Sequence, residues 1–225
     1  MLTQATYGPT MAEIQRVSGL GAAAWIEQQF NTAPMDSHWD YAVLRNGPPG
    51  CTVCDSAHVN AVMESFWLQA VRGQDQLRQR TVLALSEIFV ISDINSSITG
   101  RKEAHASYLD MLSRNAFGNF RQLLEQVSTH PAMGHYLSHF RNQREDAATG
   151  RIPDENYARE VMQLFTIGLW QLNPDGTRRR DANGNFIPTY SQDDVAGLAR
   201  VFTGWSWNGP DRSLSRWNGW VPAYP

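Results

Sequence analysis

The chain has 225 residues, of which 42% are hydrophobic and 18% charged, with a net charge of -3. This balance is typical of a globular protein and excludes an intrinsically disordered chain. The slightly acidic pI of about 6.1 argues against a general nucleic-acid binder, which needs a basic face. The best apolar stretch, 81–91, contains Ser86 and Glu87 and falls short of the roughly 20 residues of a membrane-spanning helix. We therefore expect neither nucleic acid as a partner nor a transmembrane segment.

Helix signals organise the first part of the chain. Thr10 and Glu13 have the spacing of a capping box and begin a short helix. A second helix is predicted over 22–30. Residues 31–54 are expected to form a loop, because 46–50 read Asn-Gly-Pro-Pro-Gly and break regular structure.

The central part of the chain is predicted to be helical. Asp55 or Ser56 begins a strong amphipathic helix that Gly73 ends, and Asp75 caps the next helix. The apolar residues of the first of these helices share one face at helical spacing: Val59, Val62, Met63, Phe66, Trp67, Ala70 and Val71. Further helices are predicted over 103–114, 119–129 and 132–140.

Two turn signals interrupt the helical pattern further along. Residues 174–176 read Pro-Asp-Gly and 183–184 read Asn-Gly, and Asn-Gly favours a tight hairpin turn. We therefore predict a small β-hairpin over 169–190. No internal repeat is evident.

Helices flank this segment on both sides. The helix over 154–167 is the clearest of the chain, and Ser191 caps a final helix over 192–202. The sequence thus predicts a mainly α protein, a multi-helix orthogonal or bundle-like fold. The whole chain, 1–225, is expected to form a single helical domain.

Several motifs follow one another in a characteristic order along the chain. They are LTQATYGPT at 2–10, the segment 78–90, NAFGNFR at 115–121, HPAMG at 130–134, ENYARE leading to FTIG at 155–168, and the segment from Tyr190 to FTGW at 202–205. Together they resemble the large bacterial family known as domain of unknown function 1800. The resemblance covers most of the chain and names no reaction.

The resemblance also carries expectations about the whole protein. Family members are about twice this long, so the chain is expected to be the N-terminal half of a longer protein, with the missing C-terminal half as a partner. Many members are exported, which implies a periplasmic or extracellular location, although no signal peptide opens this chain. The fragment is then expected to self-associate or to be less stable than the full protein, because its Trp-rich end would expose apolar area.

The helix over 154–167 carries the principal candidate site on its polar face. The polar residues of this face are Glu155, Asn156, Arg159, Glu160 and Gln163. One interpretation is a solvated face with a Glu155–Arg159 pair one turn apart. Another is a cleft in which Glu160 or Glu155 is a base or metal ligand and Arg159 clamps an anion. A third is a buried polar network that only fixes helix packing.

The composition of this face favours an inward orientation. It carries no Lys, and Arg suits partly buried pairing with carboxylates better than Lys does. We predict that the face points towards Arg121 or Arg200, which both lie in motifs of the resemblance. Replacing Glu160 by Ala should then destabilise the fold by more than roughly 0.5 kcal/mol.

Three histidines form a second group. His135 and His139 are four residues apart, as in metal-binding helices. His130 precedes Pro131 and either contributes to binding or bonds a helix end. We expect no metal site, and no cofactor either, since the chain lacks a phosphate-binding Gly loop, a Gly-x-Ser-x-Gly elbow and a Rossmann signature.

Cys51 and Cys54 are the two cysteines of the chain. A disulfide between them in an oxidising compartment is the leading prediction. Free thiols come next, and a redox pair at a helix N-terminus is a further alternative. A zinc site could draw on His58 as a third ligand, but no fourth ligand is evident.

Two further features allow more than one interpretation. Four tryptophans near the end of the chain form either a sugar-stacking platform or a packing surface: Trp205, Trp207, Trp217 and Trp220. Residues 181–185 alternate oxygen-bearing side chains as calcium loops do, but no Glu closes the loop, and a hairpin turn is expected. Asn156, His130 and Trp205 are the candidate binding residues.

Two functions follow from these observations. The first is an exported helical scaffold or binding protein that acts through a protein partner or a surface polymer. The second is a hydrolase-type enzyme with a cleft lined by charged residues: Glu155, Arg159, Glu160, Arg121 and Arg200. The first is favoured, because no nucleophile–base pair and no complete metal set is visible.

Overall fold

The structure is a computed structural model that describes residues 1–46, 60–92, 94, 98–99 and 102–206. The chain divides into two compact units, Met1–Ala132 and Met133–Pro225. The single domain over 1–225 stays a prediction. The residues with predicted roles that lie outside the described part of the chain are Cys51, Cys54, Asp55, Ser56, His58, Val59, Trp207, Trp217 and Trp220.

The described part of the first unit is built from helices. They are α1 (Leu2–Ala5), α2 (Met11–Leu20), α3 (Ala22–Asn31), α4 (His38–Asn46), α5 (Ala61–Arg72), α6 (Gln76–Ile88), α7 (Lys102–Asn115) and α8 (Phe120–Thr129), and α9 (Pro131–Tyr136) begins at its end. The mainly α fold is confirmed.

The start of α2 follows from local sequence. The Thr10 hydroxyl accepts a hydrogen bond from the backbone N–H of Glu13 at 3.2 Å, so the predicted N-cap is confirmed. The return bond of the capping box does not form. The Glu13 carboxylate instead accepts hydrogen bonds from Arg16 and, at 2.7 Å, from the indole N–H of Trp25. This bond ties α2 to the buried Trp25 of α3.

Helix α4 forms inside the segment that was predicted to be a loop. Its first N–H groups are satisfied by the Asp110 carboxylate of α7, which accepts from His38 at 2.8 Å and from Trp39 at 3.0 Å. The Ser37 hydroxyl donates to the same carboxylate at 2.7 Å. The loop prediction was wrong because the group that caps this helix lies far away in sequence.

The apolar face of α5 is narrower than predicted. Phe66 and Ala70 are buried, whereas Trp67 is 54% exposed and Val71 is 74% exposed. The part of α5 that reaches the core of the first unit faces α4, α6 and α7.

In the second unit, α10 (Asn156–Glu160) runs directly into a π-helix, Val161–Phe165. The predicted helix over 154–167 is therefore present with a wider second half. The Gly168 N–H donates to the Met162 carbonyl at 2.9 Å, six residues back, which closes this wide turn.

The core of the second unit joins α10 to α11 (Gln192–Val201). Its buried centre is Ala158, Val195 and Ala199, against which Met162, Tyr190, Leu198 and Phe202 pack. Ser191 and Asp194 form a reciprocal capping box at the start of α11, so the Ser191 cap is confirmed.

The helix predicted over 132–140 is shorter than expected, since α9 ends at Tyr136. Ser138 and Arg141 adopt left-handed φ values of 61° and 63°, which a right-handed helix cannot contain. The Arg141 N–H donates to the Trp205 carbonyl at 2.8 Å and holds this bend in place.

The segment 169–190 is not the predicted hairpin. It forms no strand; its antiparallel bridges are single pairs, Trp170 with Pro188, Leu172 with Arg178 and Arg180 with Phe186. The chain crosses this segment in three short extended pieces, here called passes, around 170–172, 178–180 and 186–188. Each pass pairs with both of the others, whereas a hairpin consists of two strands that pair only with each other. We call this segment the three-pass excursion.

Backbone hydrogen bonds of the excursion repeat every eight residues. Gln171 donates to Ile187 at 2.9 Å, Ile187 to Arg179 at 3.1 Å, and Arg179 back to Gln171 at 2.8 Å, which closes a cycle. An outer set repeats the same spacing: Asn173 to Thr177, Asp181 to Asn185 and Thr189 to Leu169. The excursion therefore has pseudo-threefold symmetry.

Glycines set the corners of this triangle. Gly168, Gly176 and Gly184 have φ values of 74°, 81° and 85°, which glycine adopts without strain. With a corner every eight residues, each pass is too short for a strand of the usual length of about 5–6 residues. The hairpin prediction failed because two turn signals were recognised and the equivalent Gly168 was not.

Candidate functional site

The predicted polar face of α10 is a small surface network. The Glu155 Oε2 atom accepts hydrogen bonds from Arg159 at 3.0 Å and from Gln192 at 2.8 Å. Arg159 also donates to the Gln192 side chain at 3.3 Å. The Arg159 side chain is 41% exposed and that of Glu155 26%. This is the predicted i,i+4 pair, with Gln192 of α11 as an additional member.

Glu160 lies apart from this network, at the junction of α10 and the π-helix. Its side chain is partly exposed, and its Oε2 atom is buried with no hydrogen-bond partner among the described residues. Burying a carboxylate oxygen without a donor costs free energy. The expected stabilising role of Glu160 therefore has no bond in the structure to support it.

The two arginines predicted to face this helix have other surroundings. Arg200 pairs with Glu145 at 3.0 Å in an exposed contact. Arg121 is an exposed residue in the first turn of α8, in the first unit. Arg200 does not pair with Glu155 or Glu160 in the described structure. The catalytic role of these residues stays a prediction.

The three candidate binding residues are in different settings. Asn156 is exposed, and its backbone N–H donates to the Asp154 carboxylate at 2.8 Å. Trp205 is 47% exposed. His130 is buried, and its Nδ1 atom accepts from the Ala132 N–H at 3.2 Å, so it caps the start of α9.

The electrostatics of His130 fit this capping role. Burial, the largest cause, and the positive charge of Arg114 together lower the pKa of His130 to about 3. The imidazole is therefore neutral near pH 7, and its Nδ1 lone pair accepts the Ala132 N–H. The alternative that His130 bonds a helix end is the one that the structure shows.

The other two histidines pack against aromatic rings. His139 stacks on Tyr157 with ring centroids 3.9 Å apart, and His135 lies 4.5 Å from the Phe140 ring. No group of three or more His, Cys, Asp or Glu is arranged to hold a metal in the part of the chain that the structure describes.

A buried polar network in the first unit was missed by sequence reasoning. His38 Nδ1 lies 2.8 Å from the Ser65 hydroxyl and 3.1 Å from the Gln69 amide, and Gln79 connects Gln69 to Asp75. All five side chains are at least 97% buried. Polar residues at Ser65, Gln69 and Gln79 interrupt apolar helix faces, and this is the only signal in the sequence for the network.

The network is sealed from solvent and contains unsatisfied atoms. His38 Nε2, Asp75 Oδ1 and Gln79 Oε1 are buried without hydrogen-bond partners within the described residues. Desolvation lowers the pKa of His38, the nearby Asp110 raises it, His105 lowers it and Asp75 raises it. A sealed set of this kind fixes helix packing and offers no access to a substrate.

A second feature that sequence reasoning missed is the aromatic–arginine cluster of the three-pass excursion. Trp170, Arg178 and Phe186 occupy equivalent positions of the three passes, and their mutual distances are similar. The Trp170 and Phe186 rings lie 5.6 Å apart, and the Arg178 guanidinium lies 5.9 and 5.2 Å from their centroids. The Arg180 guanidinium lies 4.1 Å from the Phe186 centroid. The signal for this feature in the sequence was the spacing of eight residues between Gly168, Gly176 and Gly184.

No helix in the described part of the chain combines the length and the apolar character needed to span a bilayer. The fold and these sites together define a helical protein whose polar networks hold packing in place and whose non-helical excursion carries the exposed residues Arg178, Arg179 and Arg180. The chain belongs to the family described as "Protein of unknown function (DUF1800)", which matches residues 1–219. No curated protein and no solved structure matches the chain. The resemblance found in the motifs is thereby confirmed.

Proposed function

We propose that this chain is an exported helical scaffold that acts by binding a partner, not by catalysing a reaction. The proposal rests on one observation: the candidate catalytic residues Glu155 and Arg200 belong to separate pairs of side chains at the surface. Glu155 is held by Arg159 and Gln192, and Arg200 is held by Glu145. A cleft enzyme of the hydrolase type needs these side chains to converge on one reacting atom.

The buried titratable groups support the same proposal. His38 and Asp75 are 1% and 0% exposed. His130 has a pKa of about 3, far from the value near the working pH that suits a general acid or base. These groups contribute to packing and capping, and none of them can reach a bound substrate.

The partner we propose is a protein or a surface polymer, met in the periplasm or outside the cell. The support for this location is the export implied by the family resemblance, together with two cysteines spaced to form one bridge. A Cys51–Cys54 disulfide is expected in protein taken from its native compartment. Mass spectrometry would show a mass lowered by two hydrogens that reduction restores, and two free thiols would contradict the proposed location.

The binding role is tested with a panel of polymers on the purified chain. Isothermal titration calorimetry against polygalacturonate, neutral dextran and single-stranded oligo(dA) measures binding, and mass spectrometry of the recovered polymers detects cleavage. We expect saturable binding without cleavage. The Glu155→Gln/Glu160→Gln variant should bind as the wild type does, because neither carboxylate is assigned to the partner. Shortened polymers that this variant no longer produces would overturn the proposal in favour of the enzyme, and no binding to any polymer would exclude these polymers as the partner.

A further inference from the structure

The aromatic–arginine cluster is organised by the symmetry of the three-pass excursion. The equivalent positions 170, 178 and 186 place two rings and one guanidinium around the pseudo-threefold axis, and the Arg180–Phe186 bridge places a second guanidinium on the same ring. Residues paired across an antiparallel bridge lie side by side on one face. Arg178 and Arg180 are therefore presented together on the face that carries Phe186.

The three arginines of the excursion form no ion pair within the described residues. Arg178, Arg179 and Arg180 are exposed. Their contacts are rings for Arg178, the Gln171 side chain for Arg179 at 3.0 Å, and Phe186 with the Gly184 carbonyl for Arg180. Two like charges over one ring repel each other, and an anion bound between them would relieve this repulsion.

The acidic residues of the excursion are engaged elsewhere. Asp175 accepts hydrogen bonds from the backbone and hydroxyl of Thr177 at 3.0 and 2.7 Å. Asp181 accepts from the backbone N–H groups of Asn183 and Asn185, each at 2.9 Å. Both carboxylates serve their own turns, so they leave the guanidinium groups available.

The guanidinium groups are also held in position before any ligand arrives. Ring contacts and the Gly184 carbonyl restrict rotamers that a free arginine would sample, and such restriction reduces the entropy lost on binding. Arginine presents a planar fork that matches a carboxylate with two parallel hydrogen bonds. The arrangement has the features of an anion-binding surface and not of a solvated charge run.

We infer that the three-pass excursion binds an acidic polysaccharide through Arg178 and Arg180, an inference that rests on the proposed binding function. Two residues along an extended pass separate the Cα atoms of Arg178 and Arg180 by about 6–7 Å, so both guanidinium groups can pair with carboxylates of one polymer. Single-stranded nucleic acid is disfavoured because it stacks its bases on open aromatic faces, whereas guanidinium groups lie against the Phe186 and Trp170 rings.

The experiment compares charge removal with charge retention. The probe is polygalacturonate, titrated into the purified chain at low and at moderate salt. We expect Arg178→Gln/Arg180→Gln to weaken binding at least tenfold, and salt to weaken wild-type binding. Arg178→Lys/Arg180→Lys keeps the charge but loses the planar fork, and it should weaken binding several-fold. Phe186→Leu should also weaken binding, because both guanidinium groups lose the ring that positions them.

The matched control is Arg72→Gln/Arg144→Gln, which removes two exposed charges outside the excursion and should bind as the wild type does. Wild-type binding that is unaffected in Arg178→Gln/Arg180→Gln would overturn the inference while leaving the binding function intact. Binding by the lysine variant as strong as that of the wild type would mean that positive charge alone binds the polymer, and this result would overturn the inference as well. Stronger binding to oligo(dA), to dextran or to phosphatidylglycerol vesicles than to polygalacturonate would refute the ligand class.

Discussion

The Asp110 carboxylate accepts a hydrogen bond from the backbone N–H of His38 at 2.8 Å, across 72 residues of sequence. The same carboxylate accepts hydrogen bonds from the Trp39 N–H and the Ser37 hydroxyl. We expect Asp110→Ala to lower the free energy of unfolding by about 1–3 kcal/mol, because N-terminal donors of α4 lose their acceptor. Urea unfolding at pH 7 measures the change.

The control for this prediction is Asp36→Ala, which removes an exposed carboxylate just before α4. It should change stability by less than about 0.5 kcal/mol. Equal effects of the two substitutions would mean that general charge near the helix start, and not the hydrogen bonds to Asp110, stabilises α4.

What could be predicted from the sequence was set by local interactions. Thr10 and Ser191 cap helices through groups three residues away, so their roles were visible in the sequence. The start of α4 depends on Asp110, which only the fold brings close. The partner of Arg200 is Glu145, 55 residues away, and no spacing rule could have identified it.

The excursion shows a different limit of sequence reasoning. Asn-Gly and Pro-Asp-Gly correctly marked two corners, but a hairpin and a triangle share such turns. The deciding feature is the third glycine, Gly168, whose positive φ aligns it with Gly176 and Gly184. Chain closure between Thr189 and Leu169 is a property of the folded segment and has no sequence signature of its own.

Gly73 is the place where a methyl group should be most harmful. A Cβ at this position would lie 2.5 Å from the Gln69 carbonyl oxygen and 2.7 Å from Asp75 Oδ1. We expect Gly73→Ala to destabilise the chain by about 2 kcal/mol or more, since the buried network must shift to admit it. Gly19→Ala is the matched control, because its Cβ meets nothing within 4 Å and helix propensity should make it stabilising by roughly 0.5–1 kcal/mol. Thermal unfolding that ranks the two variants equally would contradict the described packing.

His130 should make stability depend on pH on the acid side. The pKa of His130 is about 3 in the folded chain and about 6.5 in the unfolded chain. Between these two pH values the unfolded state binds a proton and the folded state does not. Stability from the neutral ring is complete above about pH 6.5 and is lost as the pH falls towards 3, by at most about 1.4 kcal/mol per pH unit. The comparison is His130→Asn, which keeps an acceptor for the Ala132 N–H but does not titrate. The advantage of the wild type over this variant should shrink from pH 7 to pH 4, and parallel stability curves would show that His130 is not kept neutral.

The closed hydrogen-bond cycle of the excursion makes a prediction that a hairpin does not. Gln171, Arg179 and Ile187 each donate an N–H to one of the other passes and accept at the carbonyl from the remaining one, so the three amides should exchange with deuterium at similar rates. Gly176→Val forces a branched side chain into a left-handed backbone at a single corner. Opening that corner should accelerate exchange of all three amides together, because each bond of the cycle positions the next.

Gly150→Val, which places the same strain at φ 70° outside the excursion, should leave their exchange unchanged. Acceleration confined to Arg179 and Gln171, with Ile187 still protected, would mean that the passes pair independently, as in a hairpin with an added turn. The positions of Arg178 and Arg180 would then not be set by the threefold pairing of the passes, from which the anion-binding surface was inferred.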